Sequence, residues 1–447
     1  MKILGRRSEK ITSGENREGM NITTVKNSAA AIQDRKSQAE KAIARCRKLA
    51  SFTEQPGRIT RTFLSPPMRD CHREIAEWLA PLGVETKIDA AGNFRALYPA
   101  ARANAARLLI GSHLDTVPDA GAFDGMLGVV LGVALLESLA GERLPFGIEL
   151  LGFSEEEGVR FGTPFIGSRA VVGRLDEELL ARTDKSGVSV RAAIEKFGLD
   201  PADIPGAQLH GDVFGYVEFH IEQGPVLEDL GLPLGVVDAI AGQTKLEFTF
   251  LGRANHAGTT PMHLRHDALA AAAEWISAVE REARRIPSLV ATVGHVDPRP
   301  GVANVIAGEV RATLDVRHRD DGTRSEAVQS LIRAAEEISA RRAIQVHHGT
   351  FTSHGSVAMD PHFVELLEQA IRNAGCEPKR MASGAGHDAM ILAEEVPAAM
   401  IFLRTPGGIS HNPEETVRVE DVETALAASA NLLDLVAAKS PARCPTK

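Results

Sequence analysis

Four segments of this chain close apolar runs or glycine-rich turns with side chains that can hold a cation or move a proton. "GSHLDTVPDAGAFDG" carries His113, Asp115 and Asp124, and "FSEEEGVRF" carries Glu155, Glu156 and Glu157. "FHIEQGPVLE" adds His220 and Gln223, and "GGISHNPEE" adds His411. His113, Asp124, Glu157, His220 and His411 together make five nitrogen or oxygen ligands with no thiolate. That set suits two divalent cations sharing one carboxylate, with positions left open for water. A metal site that does hydrolysis also needs a carboxylate as base, and adjacent glutamates at a turn can provide both ligand and base. Asp115, two residues beyond His113 on an extended segment, faces the same way and can accept the second ring N–H of that histidine. Each residue alone has a plainer reading. His113 could be a core histidine, Asp124 a helix N-cap, the glutamates a solvated strand end, and His220 and His411 structural or exposed residues.

The surrounding pattern explains how these segments could meet. "ARLLIGSHLD" and "FGIELLGFSEEEG" read as buried strands joined by the helix "GMLGVVLGVALLESLA", a parallel crossover within an α/β sheet. Ligand sites in such sheets gather at the C-terminal strand ends, where both motifs fall. "VETKIDAAGNFRALYPA" reads as a hairpin. Residues 242–350 follow a β-α-β-β-α-β order, the ferredoxin-like pattern of a separate antiparallel sheet. The expected organisation is a lead over 1–35 without structure, a catalytic domain over 36–241 and 351–440, and an inserted second domain over 242–350.

The 447 residues are long for one domain, in keeping with that division. Apolar residues at 44% and charged residues at 24% are ordinary soluble composition. A formal charge of −9 without a long Lys/Arg block argues against nucleic acid and against a polybasic membrane contact. The basic N-terminus has no apolar core behind it, so it does not read as a secretory signal, and Met20 is an alternative start. The run 127–141 is short and interrupted by Glu137, so no membrane span is expected. Cys46, Cys71, Cys376 and Cys444 are scattered without a CxxC pair, which favours a reducing cytoplasm.

The motifs also carry a resemblance. "GSHLDTVPDAGAFDG", "EEEGVRF", "HIEQGPVLE", "ANHAGTTPM", "NVIAGEV…LDVRH", "SGAGHDA" and "GGISHNPEE", in this order from about residue 40 to 435, resemble the amidase/hydantoinase–carbamoylase group of the dinuclear M20 metallopeptidase superfamily. That group includes N-carbamoyl-L-amino-acid hydrolases, allantoate amidohydrolases and β-ureidopropionases. The resemblance implies a mixed-sheet, zinc-exopeptidase-like α/β catalytic domain with an inserted α+β lid through which a homodimer forms. It implies two divalent ions (Zn²⁺, Mn²⁺, Co²⁺ or Ni²⁺), one on His113, Asp124 and His220 and the other on Asp124, Glu157 and His411. Glu156 would be the general base, Asp115 would orient His113, and Glu155 has no role. His256 would help stabilise an oxyanion, while Gln223, Asn304, Arg317 and the backbone at Gly384 would hold a small ureido acid, Arg317 by its α-carboxylate. For these too a plainer reading exists: His256 could cap its own turn, Arg317 could make a surface ion pair, and His387 could only start a helix. Arg404 could touch a second polar arm of the substrate or face solvent. Hydrolysis of an N-carbamoyl-L-amino acid is the leading expectation, with allantoate next. His220 stands where related peptidases have a carboxylate, which counts against a dipeptidase or aminoacylase. A binding homologue without catalysis is disfavoured because every ligand and Glu156 are present.

Overall fold

Four parallel strands lie side by side at the centre of the computed structural model, which describes residues 29–439. They are Gly147–Phe153, Arg107–His113, Val213–Ile221 and Ala398–Leu403, in that spatial order. All are nearly continuous apolar runs buried on both faces, as parallel strands covered by helices must be. The antiparallel strands Phe94–Tyr98 and then Glu85–Ile88 extend one edge, and the expected hairpin pairs Ile88 with Phe94. Leu234–Ile240 extends the other edge and pairs with both Val357–Ala358 and Arg380–Ser383.

The helix Met126–Ser138 makes the crossover between the first two parallel strands. Its residues from Met126 to Leu136 are all buried, because the helix lies between the sheet and two further helices, Ala29–Ala50 and Val419–Lys439. The first of these begins at Ala29, ahead of the expected start at 36. The rest of the expected lead, Met20 included, lies outside the described residues, as does Cys444. Register decides where the chemistry falls. His113 pairs with Phe153 and Phe402 with His220, so the C-terminal ends of the four strands stand level and the loops leaving them share one edge.

Residues between Gly242 and His354 build a second sheet with its own apolar core. Its order is Gln345–His354, Gly242–Leu251, Glu309–His318, Val290–Arg299, antiparallel throughout. Glu309–His318 buries every second side chain, the period of a sheet covered on one face. Helices Ala268–Arg285 and Asp321–Arg341 cover that face. Between them Trp275 is fully buried against Phe248, with its indole N–H donating to the Leu331 carbonyl at 3.0 Å. Asn255–His256, exposed, and Val305–Ile306, whose Ile306 is buried, form a small ribbon beside this sheet. Among the described residues, no helix is long and apolar enough to cross a membrane.

Candidate metal centre and active site

His113 ends its strand, and the carbonyl of Asp115 lies 3.0 Å from its Nδ1. His220 lies in the last turn of its own strand, with the Ile221 carbonyl 2.9 Å from its Nδ1. These acceptors assign the proton of each ring to Nδ1 and leave the Nε2 lone pairs free. The two Nε2 atoms are 3.3 Å apart and lie 3.4 and 3.1 Å from Asp124 Oδ1. Asp124 Oδ1 is itself buried without a hydrogen-bond donor. Three lone-pair donors converging on one dry point repel unless a cation sits among them, so this trio fits a metal.

The other Asp124 oxygen faces a second group. Asp124 Oδ2 lies 3.2 Å from His411 Nε2, which is 3.5 Å from Glu157 Oε1. Ligand atoms of His113, Asp124 and His220, and those of Asp124, Glu157 and His411, each fall within 4.8 Å of one another. Asp124 is thus shared between two triads. It is held there by a tight loop: Gly125 has φ +66°, and a Cβ at that position would sit 2.5 Å from the His113 ring.

The three glutamates separate at one backbone reversal. Glu155 adopts φ +49°, which breaks the alternation of the strand and turns its side chain away from the cluster. Its carboxylate accepts the N–H groups of Phe63 (3.1 Å), Arg160 (2.8 Å) and Phe161 (3.3 Å), and the residue is fully buried. The expectation that Glu155 has no role is corrected: it pins the Phe63 loop to its own loop, which returns at Arg160 and Phe161. Glu156 and Glu157 point the other way, each within reach of His113. Burial pushes the Glu156 carboxyl well above the usual carboxylate range, with His113 opposing and Glu157 and Asp388 adding to the rise. Glu157 is pushed up to about 7, first by burial and then by the charge of Asp124. Positive charge at the two triads would reverse both trends.

Asp115 does something other than expected. Its carboxylate stands 3.6 Å from His113 Nδ1, and the closer acceptor is its own main-chain carbonyl. The carboxylate instead accepts the N–H groups of Glu156 (3.0 Å) and Glu157 (3.1 Å), so one residue fixes both the histidine and the glutamate turn.

Gln223, in a left-handed conformation after the His220 strand, donates from Nε2 to Asp124 Oδ2 at 2.8 Å. Arg317 reaches across from the second sheet, and its Nη1 donates to the Gly384 carbonyl at 2.7 Å. Its Nε and Nη2 fork onto Asp315, at 3.1 and 2.9 Å. Three of five guanidinium N–H groups are therefore engaged. Among the described residues, no hydrogen bond or ion pair brings His256 to the cluster. Its Nδ1 accepts from Gly258 and Thr259 in its own turn, which leaves Nε2 as the protonated nitrogen. Asn304 lies beside it, its carbonyl accepting the Ala257 N–H. Arg404 is partly buried and forks onto buried Asp421 at 2.8 and 2.5 Å. His387 does start a helix, as the plainer reading holds, but its buried ring also lies tilted against His220, the ring centres 4.4 Å apart.

Sequence reasoning missed two buried acids behind the ligands. Glu218 sits two residues before His220 on the same strand face and accepts from the Ser112 hydroxyl and the Ala389 N–H. Glu415 accepts the N–H groups of Phe123 and Asp124. The alternation around His220 could have flagged the first; nothing local marks the second.

Comparison with known proteins places the chain in a family. The model described as "Peptidase family M20/M25/M40" matches residues 109–435. The chain is 37% identical to allantoate deiminase 2 of Glycine max, across 88% of this chain and 89% of that protein. It is 38% identical to the N-carbamoyl-L-amino acid amidohydrolase of Geobacillus stearothermophilus, across 86% and 95%. A crystal structure of an amidase of the hydantoinase/carbamoylase family from Burkholderia multivorans superposes with a TM-score of 0.84 at 31% identity, covering 90% of this chain and 98% of that one. With these relatives aligned over most of its length, the chain belongs to peptidase family M20/M25/M40.

Proposed function

We propose that the protein is a metal-dependent amidohydrolase that cleaves the C–N bond of a linear ureido acid, of the N-carbamoyl-L-amino-acid type. The observation that carries this reading is Asp124 shared between two donor triads with the carboxyl of Glu156 beside them, near His113 and Glu157, in a chain whose relatives are named for ureido substrates. His113, Asp124 and His220 would hold one divalent cation, and Asp124, Glu157 and His411 the other. When bound, such cations supply Lewis acidity to the attacking water and to the carbonyl under attack.

Glu156 takes a proton from the attacking water as its oxygen bonds to the carbamoyl carbon. It returns that proton to the departing amino nitrogen as the C–N bond breaks. The products are the L-amino acid and carbamate, which decomposes to ammonia and carbon dioxide. His256, held as the Nε2–H tautomer, has the donor an oxyanion needs. It must be carried to the cluster by movement of the 242–350 unit or by a second copy of the chain. We assign that unit as lid and homodimer contact and the remainder as the catalytic domain, in a cytoplasmic enzyme. Gln223, Asn304 and Gly384 line the substrate's polar end in this reading.

Allantoate is the second reading, because the allantoate deiminase relative stands as near in identity as the carbamoylase. Ammonia release from N-carbamoyl-L-methionine, allantoate and β-ureidopropionate separates these substrates. We expect release from at least one, abolished by chelation and restored by Mn²⁺, Co²⁺, Ni²⁺ or Zn²⁺. Silence on all three after reconstitution rejects the proposal.

Arg317 tests the substrate end. Its two uncommitted N–H groups can meet an α-carboxylate, a charge-assisted contact of about 1.5–3 kcal/mol. Arg317→Lys should therefore raise KM by roughly 10- to 100-fold, with a smaller change in kcat. An unchanged KM removes Arg317 from the binding site.

A further inference from the structure

The two donor triads come from loops far apart in sequence, so something must set the distance between them. We infer that Glu415 is a positioning residue that locks the Asp124 loop to the His411 loop and so fixes the spacing of the two metal positions. The inference rests on the dinuclear reading above and concerns residues outside either triad.

Glu415 Oε1 accepts two successive main-chain N–H groups, Phe123 at 2.8 Å and Asp124 at 3.0 Å. Its Oε2 lies 3.2 Å from the hydroxyl of Ser410, the residue before His411. The same hydroxyl lies 3.0 Å from Asp124 Oδ2. The single Ser410 proton is shared between the two carboxylates, which links Asp124 main chain, Glu415 carboxyl, Ser410 hydroxyl and Asp124 carboxylate into a ring. The ring is anchored at its other end by a turn in which the Glu415 N–H donates to the Asn412 carbonyl at 3.0 Å. His411 immediately precedes that turn, with φ +55°. Rotation of the Asp124 carboxylate, or drift of the His411 loop, would break several of these bonds together.

Chemistry explains the residue type. The two main-chain donors need an acceptor on one oxygen while the other end meets a hydroxyl, which only a carboxylate or a carboxamide of this length can manage. Alanine removes both ends, and aspartate falls one methylene short. Space explains the neighbour. A Cβ at position 121 would lie 2.3 Å from both Cβ and Oε1 of Glu415, so the carboxyl reaches the Asp124 loop only because residue 121 is glycine. Glu415 is 5% exposed, so it acts on the triads from behind.

Cobalt titration of metal-free protein tests this, read by calorimetry and by the visible d–d absorption of bound Co²⁺. The wild-type chain should take two Co²⁺ ions. Glu415→Ala should weaken the second by about 10- to 100-fold, the usual cost of losing a group that orients a ligand, and change its absorption. Gly121→Ala should reproduce both effects without removing any polar group, which covers the case in which Glu415→Ala fails to fold. Glu415→Gln keeps an acceptor for the two N–H groups and gives Ser410 a donor, so it should bind within about threefold of wild type. Native affinity and spectrum in both alanine variants overturn the inference, because a merely structural Glu415 would lower the melting temperature and leave cobalt untouched. A loss in Glu415→Gln equal to that in Glu415→Ala also overturns it, since charge would then be the cause. A wild-type chain that takes fewer than two ions rejects the dinuclear reading, and this inference with it.

Discussion

Glu156→Gln is expected to lower kcat by about 100- to 10,000-fold, the range that a positioned proton-transfer group contributes, while both cations remain bound. The substitution keeps the shape of the side chain, and the main-chain N–H of residue 156 can still donate to Asp115. What it removes is a carboxyl that can first accept and then return a proton. The distinction from Glu157 is the point of the experiment. Both glutamates lie within ligand distance of His113, and burial raises both carboxyls. Only Glu157 also meets Asp124 and His411, so Glu157→Gln should cost a cation where Glu156→Gln does not. Metal content by atomic absorption, beside kcat and KM, separates the two. Loss of metal in Glu156→Gln would make Glu156 a ligand, and undiminished turnover would remove it as the base.

The candidate donors were legible because each follows an apolar run or sits in a glycine-rich turn. A strand buried on both faces announces itself by composition, and the parallel crossover rule places its C-terminal end beside that of its neighbour. His113, the glutamates, His220 and the loop to His411 could thus be gathered on one edge before any contact was visible. The second sheet was legible for a similar reason, since its strands alternate and its helices carry one apolar face. What stayed hidden were side chains whose partners are main-chain N–H groups in distant loops. Glu155 serves Phe63 and Arg160, Glu415 serves Phe123, and the Asp115 carboxylate serves residues 156 and 157. Any residue but proline supplies such a donor, so nothing in the sequence singles out the partner. Arg404 stayed open for a similar reason. Its nearness to the His411 loop in sequence allowed either substrate or solvent, whereas its Nε and Nη2 fork onto Asp421, on the C-terminal helix.

Glu155 carries the clearest reversal and the second large effect. A charged residue at a strand end with no assigned role should tolerate replacement, yet Glu155→Ala is expected to cost about 3–6 kcal/mol. The figure follows from three buried N–H groups losing their acceptor at about 1–3 kcal/mol each, with partial relief by water or by relaxation of the loops. In metal-free protein this should lower the melting midpoint by roughly 5–10 °C. Glu155→Gln should be milder. Its amide oxygen can serve the pair formed by Arg160 and Phe161, but its NH₂ then confronts the Phe63 N–H, donor against donor. Stability should therefore fall in the order wild type, glutamine, alanine, whereas activity per folded, metal-loaded molecule falls far less than in Glu156→Gln. A flat stability series would mean that the three N–H groups find other partners cheaply. A loss of kcat in Glu155→Gln matching that of Glu156→Gln, with stability intact, would transfer the base to Glu155 and shift the assignment of the whole turn by one residue.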